Sequence, residues 1–178
     1  AAVGGCAGLV EITEELRLDL ADLEQKIART GAGFLLLSHM RGHLCDMDAL
    51  MRMCDAAGVT VIEDCAHTMG ARWNGKRSGN FGKVGCFSTQ TYKHMNSGEG
   101  GILTTDDAEV AARATILSGS YMLYERHGAS PPPEAFSEAR YQMPNCSARM
   151  DALRAAILRP QLARIEDSIA AWNALYTA

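Results

Sequence analysis

Two stretches decide how this chain folds: VTVIEDCAH, residues 59–67, and CFSTQTYKHMNSGEGG, residues 86–101. Each carries a short apolar run that breaks into polar sequence, which is how a buried strand ends. The second stretch brings Lys93, 29 residues after Asp64, and then the cluster Ser97-Gly98-Glu99-Gly100-Gly101. A lysine just after an apolar strand and just before glycines suits an amine that must reach a buried carbonyl in a glycine-lined pocket. The first stretch ends its strand in Glu63-Asp64. A carboxylate facing a pyridine nitrogen keeps such a ring protonated and able to accept electrons. Together the two residues point to pyridoxal phosphate.

Outward from these stretches, apolar runs alternate with amphipathic ones, the pattern of an α/β sheet with crossover helices. The spacing predicts strands at residues 9–12, 33–37, 59–63, 84–88 and 101–104, and helices at 20–28, 46–57 and 107–118. A long helix is predicted from about 148 to 175. Asp46 and Asp106 stand where N-caps belong, and Gly58 where a C-terminal glycine belongs. The one low-complexity stretch, Ser130-Pro131-Pro132-Pro133, lies in a segment at 119–144 long enough for a lid or a disordered loop. No internal repeat is evident.

Composition narrows the classes. With 47% hydrophobic and 21% charged residues the chain is an ordinary globular one. A net charge of −4 argues against a nucleic-acid footprint. The six cysteines form no C-x-x-C pair, so free thiols in a reducing compartment are expected, and with no membrane-length apolar run the cytoplasm is the default. The chain lacks an initiator methionine, opens on Ala1-Ala2-Val3-Gly4-Gly5 and stops near Tyr176, so it reads as a fragment of a longer protein.

The segment from Asp46 to Gly101 resembles the DegT-type family of fold type I pyridoxal-phosphate aminotransferases, many of which aminate keto-sugars attached to nucleotides. The likeness extends upstream through LRLDLADLEQKI and FLLLSHMRGH and downstream to SARMDALRAAILRPQL. It implies a three-layer α/β/α large domain with a mostly parallel mixed sheet. Residues 1–147 would form part of that domain, and 148–178 the helix leading toward a small C-terminal domain. The resemblance also assigns roles. Asp64 would face the pyridine nitrogen and His67 would stand beside the ring. Ser88 would bind the cofactor phosphate and Lys93 would be the imine-forming lysine. Asn145, or else Ser147, would serve a neighbouring subunit's cofactor phosphate, which implies a homodimer with shared sites. The sequence departs from the family at Thr91-Tyr92, where proline and threonine usually precede the lysine. The family's glycine-threonine phosphate turn and its ring-stacking aromatic would lie before Ala1.

The implied activity is transfer of an amino group from glutamate or glutamine to a keto-sugar nucleotide or similar cyclic ketone. Small-molecule donor and acceptor are the expected partners, with no nucleic acid or membrane. Two alternatives stand beside it. Related sugar dehydratases tend to carry histidine at the lysine position, and His94 is adjacent. A regulatory module of the same fold without turnover would have no need of Asp64 and Lys93. Each site residue also has a plainer reading: a turn cap for Asp64, a core group for His67, a strand-end hydroxyl for Ser88, a turn for Asn145 and Ser147, and a solvated cation for Lys93. His39 and His43 are four apart, a ligand spacing on a helix, but Gly42 and the apolar run before them indicate a loop, and no metal is expected. RSGNFGKVG imitates a kinase glycine loop without its companion motifs and reads as a turn before the strand at Val84.

Overall fold

Leu35 and Leu37 leave strand β1 (Phe34–Ser38) on one side and Phe34 and Leu36 on the other, and only the first pair is buried. That side is covered by α1 (Leu20–Thr30) and α2 (Met47–Ala57), whose Leu23, Met47, Leu50 and Cys54 pack with Leu35, Leu37, Val59 and Val61 into the main core. The spacing of Met47, Leu50 and Cys54 sets them on one helical stripe. Full burial of a side chain such as Leu50 contributes about 1.5–3 kcal/mol. The computed structural model describes residues 4–119 and 128–178.

The sheet is mixed and mostly parallel, as the sequence implied. It runs β1, β2 (Thr60–Asp64), β5 (Val84–Ser88), β6 (Gly101–Thr104), the first three parallel and β6 antiparallel to β5. Between β2 and β5 a small hairpin forms from β3 (Arg72–Trp73) and β4 (Lys76–Arg77). Register aligns Ser38 with Asp64 and Asp64 with Cys86. On the opposite side from the core, Phe34 and Leu36 remain 72% and 69% exposed, so no helix among the described residues covers that end of the sheet.

Three helices share one signature, an aspartate N-cap and a left-handed glycine at the end. Asp19, Asp46 and Asp107 accept backbone N–H bonds at the starts of α1, α2 and α3 (Ala108–Ser118), and Gly31, Gly58 and Gly119 close them. The cap of α3 is therefore Asp107 and not the expected Asp106.

Three further expectations are corrected. Residues 9–12 form no strand; Ile12 makes an isolated bridge with Leu18, and Leu9 and Ile12 are exposed, so nothing buries the face a strand there would need. The long C-terminal helix is two, α5 (Ala152–Ala163) and α6 (Ile165–Thr177), meeting at Arg164. Pro160 inside α5 has no N–H to give the carbonyl of Ala156, which weakens the helix one turn before the break. In the segment at 119–144, residues 120–127 lie outside the described ones. Its later part is packed: a 3-10 turn at Pro133–Phe136 and α4 (Ala139–Gln142) lay Phe136 and Ala139 against Ala112 and Ile116 of α3. Among the described residues no helix is long and apolar enough to cross a membrane.

Candidate active site

Consecutive residues of a strand face opposite ways, so Glu63 and Asp64 cannot share an environment. Glu63 is wholly buried, and its carboxylate accepts four hydrogen bonds. Oε2 accepts from His39 Nε2 at 3.1 Å and the Gly79 amide at 2.9 Å; Oε1 accepts from the amides of Phe81 at 2.7 Å and Gly82 at 2.8 Å. Burial alone would raise the proton affinity of Glu63, but the His39 bond and the three amides outweigh it and hold the group below the usual carboxylate range. The segment read from sequence as a turn before β5 is thus a cradle of backbone N–H groups. It closes tightly: a Cβ on Gly82 would lie 2.5 Å from the Val61 carbonyl oxygen.

Asp64 faces the other side and is half-buried. Its Oδ2 accepts from the Ser38 hydroxyl and its Oδ1 from the Ala66 amide, both at 3.1 Å. The segment after β1 also reaches His67. The Arg41 amide donates to His67 Nδ1 at 3.1 Å, so in the neutral ring Nε2 carries the hydrogen and stays available. Arg41 does this from a 3-10 turn, Met40–Gly42, with left-handed φ of 57°.

Ser88 ends β5 on the same side as Asp64, two residues beyond Cys86, and its Oγ accepts from the Gln90 amide at 3.2 Å. The following loop is closed by backbone bonds from Thr89 to Gly100, Thr91 to Gly98 and Ser97 to Thr89, with Met95 buried beneath it. Gln161 of α5 clamps Asn96 on both sides, accepting from its amide at 2.9 Å and donating to its carbonyl at 2.7 Å. Lys93, half-buried, rides on this fixed loop, and among the described residues its Nζ has no hydrogen-bond or ion-pair partner.

A cleft of about 980 Å³ opens beside Lys93, lined also by His67, His94, Arg41, Arg72 and Trp172. The His94 ring lies 5.1 Å from that of Trp172. Burial first, then His67 and Lys93, lower its proton affinity and keep it neutral. Asp64, Ser88 and Asn145 do not line this cleft. Asn145 is exposed in a local turn where its Oδ1 accepts from the Ser147 amide at 2.8 Å, with Ser147 itself at φ 49°. No contact joins either to Asp64, Ser88 or Lys93 among the described residues.

Sequence reasoning missed Glu63, Ser38 and Arg41. It also set His39 aside as a metal decoy, whereas His39 is the buried partner of Glu63. His39, Glu63 and Cys65 do bring ligand atoms within 4.8 Å of one another. Both Glu63 oxygens are already engaged by four donors, and burial pushes the Cys65 thiol up to about 12.

An acid and a partner-free lysine thus follow adjacent parallel strands at their carboxyl ends, the edge of an α/β sheet where ligands bind. A profile of the DegT/DnrJ/EryC1/StrS aminotransferase family matches residues 1–177, and the chain belongs to that family. It is 36% identical over 157 residues to a GDP-perosamine synthase of Caulobacter vibrioides, covering 86% of this chain and 38% of that one. It is 37% identical over 146 residues to an L-glutamine:scyllo-inosose aminotransferase of Streptomyces griseus, covering 82% and 34%. The crystal structure of 3-amino-5-hydroxybenzoic acid synthase superposes with a TM-score of 0.74 at 28% identity, covering 94% of this chain and 42% of the other. The chain spans about two fifths or less of the length of these relatives.

Proposed function

We propose that the protein containing this chain is a pyridoxal 5'-phosphate-dependent aminotransferase that moves an amino group from glutamate or glutamine to the ketone of a sugar nucleotide or a similar cyclic ketone. The observation that carries this reading is Lys93, without a partner among the described residues, on a clamped loop one strand from the Asp64 carboxylate. These residues fit the cofactor chemically: a free amine for its aldehyde, an acceptor-only carboxylate for its ring nitrogen, a strand-end hydroxyl for its phosphate. Related proteins that act on a sugar nucleotide and on a cyclitol ketone support the acceptor class.

When bound, the cofactor supplies an aldehyde that captures amino groups and a cationic ring that delocalises the electrons left by a departing Cα proton. Asp64, its two oxygens oriented by Ser38 and Ala66, would hold a proton on the ring nitrogen. Lys93 Nζ would hold the cofactor's aldehyde carbon and, once freed by the donor amine, would carry the proton between the donor's Cα and that carbon. His67, fixed through Nδ1, keeps Nε2 for the ring's edge. Ser88 binds the phosphate. Asn145 serves the cofactor phosphate of a second copy in a homodimer. The free cysteines support a cytoplasmic setting.

Full-length protein mixed with pyridoxal phosphate should turn yellow, and borohydride should fix the cofactor covalently on Lys93. Peptide mapping that finds the label on Lys76 or Lys83 would overturn the assignment.

A further inference from the structure

We propose that Arg41 is the receptor for the amino donor's α-carboxylate, presented into the Lys93 cleft from a left-handed turn that also fixes His67. This rests on the aminotransferase reading above. The donor's amine must arrive where Lys93 Nζ is bonded, and its carboxylate is attached to the same carbon. Whatever binds that carboxylate must therefore line the cleft that holds Lys93.

The cations of the cleft can be sorted by what already holds them. Arg72 donates to Glu166 at 3.3 Å and to the Gly75 carbonyl at 3.0 Å, and Arg77 adds a second bond to the same Glu166. Lys93 is the reacting amine. His94 packs near Trp172, and partial burial first, then the nearby charges, lower its proton affinity. His67 spends Nδ1 on the Arg41 amide. The Arg41 guanidinium remains, exposed and without an ion pair among the described residues. A planar guanidinium suits a carboxylate, which it can grip through two parallel N–H bonds.

The backbone supplies a second, independent observation. Arg41 sits at φ 57°, ψ 18°, a conformation that glycine adopts freely and other residues only uncommonly, with Gly42 beside it at φ 85°. Such strain persists at sites where the side chain is used. The turn's backbone task needs only an N–H, which glycine would supply without strain.

Arg41→Gly separates the two roles, because it removes the guanidinium, keeps the amide to His67 and relieves the backbone. In the full-length enzyme the donor KM should rise about ten- to hundredfold, the range for losing a charge-assisted pair, with a smaller fall in kcat and no change in acceptor KM. Arg41→Lys should recover part of the loss. Glutarate, a donor-like carboxylate without an amine, should quench Trp172 fluorescence in the cofactor-free protein and bind at least tenfold more weakly to Arg41→Gly. Unchanged donor KM and unchanged glutarate affinity in that variant overturn the proposal while leaving transamination standing. A wild-type protein that neither binds pyridoxal phosphate nor transaminates overturns both.

Discussion

Asp64→Asn should fold normally and lose transamination by orders of magnitude. The amide oxygen can still accept from Ala66, and the Ser38 hydroxyl can rotate to accept from the new NH₂, so the local bonds survive. What disappears is the negative charge that holds a proton on a pyridine nitrogen. Near-normal kcat in a folded Asp64→Asn enzyme would show the acid to be structural. Lys93→Ala should lose the covalent link and, beyond it, the roughly 10²–10⁴-fold that a positioned proton carrier contributes. Full turnover after that change would sink the assignment. The placement of both residues at the ends of adjacent strands was legible in the sequence, because each follows an apolar run and the two are bracketed by glycines and turns. Arg41 was not legible: nothing in SHMRGH announces that its arginine takes a left-handed φ or that its amide turns toward a histidine 26 residues later.

At the scale of elements, the Glu63 cradle ties the end of β1, the body of β2 and the loop before β5 into one buried unit. A carboxylate held below its ordinary value binds protons less readily folded than unfolded. Its contribution is thus complete above the usual value of 4.5 and drains away as pH falls below it. Urea midpoints measured from pH 7 to pH 3 should fall across that acid range in the wild type and far less in Glu63→Gln; parallel curves would exclude the linkage. The variant itself should cost about 2–4 kcal/mol at neutral pH, since an amide cannot accept all four donors. Gly82→Ala drives a methyl into the Val61 carbonyl and should destabilise by a comparable amount, read from the same denaturation. The four strands of the main sheet were readable from their apolar runs, each to within a residue, whereas the expected strand at 9–12 is absent and the short β3–β4 hairpin was not foreseen. The inward acid was not, because alternation cannot tell which of two adjacent carboxylates meets a ring of amides contributed by residues 79–82. Nor could the pattern divide the C-terminal helix, which runs on through Pro160 and breaks only at Arg164.

For the whole molecule, the open side of the sheet at Phe34 and Leu36 is apolar surface of a kind that soluble proteins cover. The 178-residue chain on its own should therefore bind hydrophobic dyes and show no transamination, whereas the full-length protein should scatter as a dimer. A full-length monomer at micromolar concentration, fully active on dilution, would exclude shared sites. The paired acids at the end of β2 carry a last consequence. Side chains alternate with a period of two, so a slip of one residue anywhere between Val59 and Asp64 would turn the Asp64 carboxylate into the core and Glu63 out to the opposite face. Four donors seize only the residue that arrives in the right phase. Glu63 acts as a detent, and for that reason this short strand should tolerate substitutions far better than insertions or deletions.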